Sequence, residues 1–468
     1  MQDERILSAF VFLFAMTFLT KLSSAWHSDA LLQRVVKNSS RLLSSNVISA
    51  GLGFVNGVLA TRLLGMDGYG LVSGVVIVFV SGVNRLLTFR MSEVVVKRFG
   101  GAFEQGNKSE AAASLKLAML TETLTSVLAY LVLLAFAPLA AALLAKDPTT
   151  GALFRFYGLI LLSNFIAESS TGVLQAARRF GQISLVNIIQ SVSVTAIVAF
   201  AYLTGGSAWM VVAAYVLGKS VNGLGLAFLA WREASQTLGA DWWKTPFSAL
   251  PDRRGMLAFM VNTNLNGTVI LFTRDNISLY LAAILSTTEV GYFKLAQSLV
   301  NLILLPLDPL IWPTYTEITH TVAAKDFSAT KRLLRRVSLL TGAVVLTVGL
   351  GLALTGWFLI PWLYKPQAAP AYPALLILLF GYGFASIFQW NRPLLLALGR
   401  PGLPVLIALC SGLVELLLIF WLVPQHGYLY LAAILSGYFI VSVGITVWSG
   451  LLEMARQVQN PSPVLPRV

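Results

Sequence analysis

Six basic residues fall inside otherwise continuous apolar stretches: Arg85, Arg90, Lys219, Arg274, Lys294 and Arg392. A charge in such a setting is costly unless it faces a cavity, a partner or a bound ion. Arginine replaces the hydration of a phosphate or diphosphate with paired, charge-assisted hydrogen bonds. Arg85, Arg274 and Arg392, drawn from both halves of the chain, are therefore the candidate anion-binding set. For Arg90 the better explanation is Glu93, one helical turn on. Lys294 lies near the end of its apolar run, where its stem can reach the interface. Arg274 adjoins Asp275, but neighbours on a helix point apart, so each needs a partner on another element. Asn164 and Glu168, like Asn262 and Asn266, are spaced to share a helix face. With Asp275 and Asp308 they form a candidate polar-cavity or coupling-ion set, for Na+ or H+; hydrogen bonding between helices explains them equally well. Glu122, Glu317 and Glu415 are further buried-acid candidates. Pro306-Leu307-Asp308-Pro309 breaks a helix and reads either as a gate around an acid or as a structural kink.

No catalytic residue and no metal site emerges. His27, His320 and His426 are far apart, and Cys410 is the only cysteine. Gly218-Lys219-Ser220 echoes a phosphate loop, but Ala213 stands where the leading glycine belongs. Ser49, Gly53 and Gly57, spaced by four, fit close helix packing.

The elements that position these residues follow from composition. Of 468 residues, 57% are hydrophobic and 11% charged, and mean hydropathy is +0.76. A soluble domain carries about a quarter charged residues. Runs of about 20 apolar residues recur along the chain, each long enough to cross a hydrocarbon core. Backbone in lipid must satisfy itself, which dictates helices, and the alternation of a barrel is absent. The expected class is an all-α polytopic membrane protein. Twelve spans are expected, at 42–63, 69–89, 114–136, 153–174, 183–204, 208–230, 256–284, 291–316, 337–361, 372–397, 403–423 and 428–450.

The connections alternate. Those after odd spans are tight and hold few cations: Arg62, Lys146, Arg155 and Lys365. Those after even spans are longer and basic, among them Lys331, Arg332, Arg335 and Arg336, a helix end suited to anionic lipid. The basic side is therefore expected to be cytoplasmic, with both ends of the twelve-span core inside. The net charge of +13 is a topological signal and argues against nucleic acid as a partner.

The chain also repeats itself. Gly68-Tyr69 is matched by Gly291-Tyr292, Leu174 to Gly181 by Leu395 to Gly402, and Gly206 by Gly427, each about 220 residues on. Six spans per unit insert both halves the same way up, an arrangement that puts a substrate site at the repeat interface. The expected units are residues 1–33, an N-terminal extension reading as an interfacial or signal-like helix; 34–252, the N-lobe; 253–456, the C-lobe; and 457–468, a cytoplasmic tail.

Thr61-Arg62-Leu63-Leu64-Gly65-Met66-Asp67-Gly68-Tyr69-Gly70 resembles the first hairpin of the O-antigen-type polysaccharide flippases. These form a family of the multidrug/oligosaccharidyl-lipid/polysaccharide exporter superfamily. Arg274-Asp275 with Glu289 to Gln297, and Leu422 to Gly427, are similar to further motifs of that family. Met66 departs from its usual proline, and residues 1–33 have no counterpart. The resemblance implies a transporter with a central cavity, not an enzyme, without cofactor. It would flip an undecaprenyl-diphosphate-linked oligosaccharide to the outer leaflet of the bacterial cytoplasmic membrane, for lipopolysaccharide or exopolysaccharide synthesis. Implied partners are that lipid-linked oligosaccharide, membrane lipids, and polysaccharide polymerase and chain-length machinery. Alternatives are an ion-coupled multidrug exporter, which needs an acidic cavity, and a membrane-embedded glycan polymerase or ligase, which needs a substantial outer loop.

Overall fold

Lipid offers a peptide group no partner, so the long apolar runs close their hydrogen bonds internally as helices. The computed structural model describes residues 30–88, 91–250, 256, 271, 276–301 and 307–459, and no strand occurs among them. Nine stretches of the described residues are long and apolar enough to cross a membrane. The first, Val47–Phe103, takes in two of the expected spans. The chain is a multi-pass α-helical membrane protein.

In the first half, α1 (Ala30–Tyr69) passes through a π-helical turn, Gly70–Val76, into α2 (Ile77–Leu87). Then come α3 (Met91–Glu104), α4 (Lys108–Leu143), α5 (Gly151–Ser163), α6 (Ala167–Ala176), α7 (Phe180–Thr204) and α8 (Ala208–Leu238). The second half holds α9 (Ile277–Ile284), α10 (Thr287–Val300), α11 (Asp308–Ala323), α12 (Phe327–Tyr364), α13 (Ala371–Ile387), α14 (Asn391–Ala397), α15 (Gly402–His426) and α16 (Tyr428–Gln459). In the first, α7 packs on α1 and α8, and α4 on α3 and α5. In the second, α13 packs on α12 and α16, and α15 on α16.

The repeat extends to backbone detail. Left-handed residues recur in register: Gly106 with Lys325, Lys146 with Lys365, Arg178 with Gly399, and Gly205 with Gly427. The last pair moves the match for Gly427 by one residue, from Gly206 to Gly205. Asn107 caps α4 by accepting from the Glu110 amide, as Asp326 caps α12 by accepting from the Ala329 amide. Arg179 pairs with Glu233 at 3.0 Å, and Arg400 with Glu453 at 3.2 Å.

Three local expectations change. The spans expected at 153–174 and 372–397 are each two helices, broken at residues 164–166 and 388–390. Asn164 therefore caps the end of α5 while Glu168 lies in the first turn of α6, and the two do not share a helix face. Gly53 and Gly57 face open space, where a Cβ would meet nothing within 4 Å. Ser49 of that series accepts a hydrogen bond from Ser191 of α7 at 2.9 Å. Of the expected break at Pro306–Pro309, Pro306 lies outside the described residues; α11 begins at Asp308, with Pro309 in its first turn.

Candidate functional site

Two helix faces build the site. On α2, Val78, Ser81, Gly82 and Arg85 recur at three- and four-residue spacing, as do Lys294, Gln297 and Asn301 along α10. These polar stripes come from opposite halves and enclose a cavity of about 260 Å³, completed by Asn276 and Tyr382. Lys294 Nζ donates to Gln297 Oε1 at 3.2 Å, and Gln297 Nε2 donates to the Tyr382 hydroxyl at 3.1 Å. Asn276 is 8% exposed and its carbonyl oxygen has no hydrogen-bond partner. Gly82 admits that amide, because a Cβ there would press on Asn276 Oδ1 at 3.0 Å. Among the described residues the wall thus offers two cations, three amides, a phenol and a serine hydroxyl, and no acid.

A closed layer separates this cavity from the side poor in charge. Gly70 and Gly291 let backbones meet: a Cβ on the first would overlap the Thr287 carbonyl, and on the second the Met66 carbonyl. Ser278 Oγ donates to the Gly74 carbonyl at 2.9 Å. Asp67 accepts from the hydroxyls of Thr287 and Thr288. Three of the few cations of this side then tie the halves together. Arg62 donates to the carbonyls of Leu363 and Trp362, at 2.5 and 2.6 Å. Lys365 Nζ donates to the Arg62 carbonyl at 2.7 Å, and Lys146 Nζ to the Leu285 carbonyl at 2.7 Å. The carbonyls of residues 285 and 362–363 end α9 and α12, where the helix dipole favours a cation. Lys146 and Lys365 occupy matched positions and reach matched helix ends, so the contact is made twice about the pseudo-twofold axis.

The expected site residues are dispersed. Arg85 lines the cavity. Arg392 is exposed in the first turn of α14 and is not on the cavity wall. Arg274, Asp275, Asn262 and Asn266 lie outside the described residues, as does the side chain of Asp308. Asn164 donates to the Ile160 carbonyl at 2.8 Å, and Glu168 accepts from Ser92 at 2.6 Å. Neither lines the cavity. Glu122 accepts from the amides of Glu168 and Ser169, at 2.8 and 2.9 Å, and so caps the start of α6. Glu415 is buried on α15 with neither carboxyl oxygen hydrogen-bonded.

Lys294 was a basic candidate that could also have reached the interface; here it lines the cavity and donates to Gln297. Asn276, Gln297, Asn301 and Tyr382 were not singled out at all. Their signal was the spacing Lys294-Gln297-Asn301, a polar stripe at helical period in an apolar run.

A duplicated bundle of membrane helices around a cavity between its halves is the architecture of the multidrug/oligosaccharidyl-lipid/polysaccharide (MOP) exporter superfamily. An inward-facing MATE multidrug resistance transporter of that superfamily superposes with a TM-score of 0.70, at 13% identity, over 88% of this chain and 96% of that one. The lipid II flippase MurJ, in an inward closed conformation, superposes at 0.65, with 14% identity and 90% of each chain covered. A MOP transporter from Pyrococcus furiosus, described as having a binding pocket of reverse polarity that suggests a different function, gives 0.60, at 13% identity, over 91% and 96%. Among curated proteins none matches by sequence. The model of the polysaccharide biosynthesis protein family matches residues 35–312. The chain belongs to that family.

Proposed function

We propose that this protein is a flippase for an undecaprenyl-diphosphate-linked oligosaccharide, moving it from the inner to the outer leaflet of the bacterial cytoplasmic membrane by alternating access. The observation that carries the reading is the sign of the cavity wall: among the described residues it holds Arg85 and Lys294 with neutral donors, and no carboxylate. A diphosphate leaving water needs replacement donors of this kind, whereas a cationic drug needs acids. Family membership and the likeness to a lipid II flippase support the same substrate class.

Each feature has a part in the cycle. Lys294 is preset by Gln297, which Tyr382 orients in turn, so its charge waits at the anion's position. Arg85 approaches from the other half and engages the same group. A volume of about 260 Å³ suits a handful of waters or one small polar group. Passage of an oligosaccharide therefore requires the halves to part. In the described conformation the charge-poor side is shut by the cationic ties. Opening there breaks helix-end contacts, and a coupling ion, Na+ or H+, would supply the bias.

The test is transbilayer movement in proteoliposomes of the purified protein, under Na+ and H+ gradients in turn. Expected is flipping of the diphosphate-linked oligosaccharide without export of a cationic dye. Dye export without flipping would replace this reading with the multidrug one. Growth of the glycan chain by the protein alone would make it an enzyme.

A further inference from the structure

Among the described residues, one place breaks the match between the two halves. In the first half, the basic-side end of α4 is covered by the segment that follows α8. Two short turns, Trp242–Lys244 and Phe247–Ala249, pack on α4. Trp242 and Leu250 are buried there with Leu115. Lys116 donates to the Thr245 carbonyl at 3.2 Å and lies 4.7 Å from the centre of the Phe247 ring.

The equivalent region of the second half is a groove of about 680 Å³ that no described segment covers. Its wall runs along α12 from Lys331 to Leu346, with Phe388 and Trp390 at the α13–α14 break and Leu451 of α16 opposite. Arg335 stands where Lys116 stands in the first half. Fifteen residues of helix give a length of about 22 Å. Trp390 Nε1 donates to Ser338 Oγ at 2.7 Å, which removes the one polar pair from the floor. Leu339 and Leu346 on the rim are 64% and 62% exposed. Lys331 and Arg335, one turn apart, are exposed at the mouth. Neither has an acidic partner among the described residues.

A greasy channel of that length ending in two cations has the form of one acyl chain beneath one phosphate. We propose that this groove binds a single anionic phospholipid of the leaflet on the basic side, with its phosphate on Lys331 and Arg335. Basic residues beside a membrane attract anionic headgroups by about 1 kcal/mol each, or about fivefold. The pair therefore contributes about thirtyfold. The lipid takes the role that the chain's own segment 242–250 has in the first half: it seals the seam between a long helix and its neighbours. The site is independent of the transported substrate.

Native mass spectrometry of the full chain, delipidated and returned to phosphatidylglycerol or phosphatidylcholine, tests the proposal. One phosphatidylglycerol should be retained about thirtyfold more tightly by wild type than by K331Q/R335Q, and phosphatidylcholine should show no such preference. Gly342→Leu should also reduce retention, since a Cβ at Gly342 meets only Ile387, at 3.9 Å, and a leucine would project into the groove. R332Q/R336Q, outside the lining, should retain it as wild type does. Equal retention of both lipids, or equal loss in R332Q/R336Q, would overturn the site. Tighter lipid retention after deletion of residues 460–468 would assign the groove to the chain's own tail and overturn it as well.

Discussion

Lys365 and Arg62 clasp one another across the two halves of the molecule. The ammonium of Lys365 donates to the Arg62 carbonyl, and the Arg62 guanidinium donates to the carbonyls of residues 362 and 363. Arg62 completes the open end of α12, and Lys365 holds a carbonyl of α1 three residues before its non-helical break at Gly65. The clasp thus joins the halves by satisfying backbone groups that would otherwise need water.

Arg62→Ala and Lys365→Ala should each shift the protein toward opening on the charge-poor side. A hydrogen bond of this exposed kind contributes about 1 kcal/mol, or about fivefold in the equilibrium. With Cys410→Ser as background, a cysteine at Ser81 should react about fivefold faster with a charged thiol reagent from the charge-poor side. Unchanged rates in both variants would show that the clasp holds nothing shut.

The paired ions Arg179–Glu233 and Arg400–Glu453 tie the basic ends of equivalent helices, but their surroundings differ. Glu453 has a second cation, Arg456, at 4.0 Å. Arg179→Ala leaves a buried carboxylate without that help and should cost about 1–3 kcal/mol. Arg400→Ala should cost less. Thermal unfolding in detergent reads the difference, and a larger loss from Arg400→Ala would contradict it.

In the cavity, Lys294→Ala removes a charge-assisted contact worth about 1.5–3 kcal/mol, so flipping should fall about 10- to 100-fold. Arg85→Ala should have a similar effect, and Lys294→Arg should preserve part of the rate. Lys219→Gln, on the exposed face of α8, should be silent. Wild-type rates in Lys294→Ala would move the anion site elsewhere.

Acid should loosen the start of α12. The Ala329 amide, with the Ser328 hydroxyl, holds the Asp326 carboxyl below its ordinary 3.8. A depressed value stabilises the folded state above 3.8, and that help fades as pH falls through the lowered value. Asn107, its counterpart, does not titrate. Asp326→Asn should therefore flatten part of the fall in melting temperature between pH 5 and pH 3. A slope identical to wild type would exclude Asp326 from that fall.

Much of this was legible in the chain. The apolar runs gave the class, and the match of Leu174–Gly181 with Leu395–Gly402 marked a repeat that the backbone confirms turn by turn. Arg85 was readable because a lone cation in an apolar helix has few explanations. Lys294 was left with two readings because depth was weighed one residue at a time, while its setting depends on Gln297 and on Tyr382, 88 residues away in sequence. The clasps were illegible for another reason. They end on backbone carbonyls, which leave no mark in side-chain identity.

The doubled lysine contact has a consequence for ancestry. Lys146 in the first half reaches the end of α9, and Lys365 in the second reaches α1. Each half thus presents both the donor and the acceptor of one and the same patch. That is the definition of an isologous interface, the kind by which two identical subunits pair about a twofold axis. A gene encoding six helices alone would already have specified a symmetric homodimer with its permeation path on the axis. Joining two such copies in one chain would free the halves to differ, and among the described residues the groove on α12 is one place where they do.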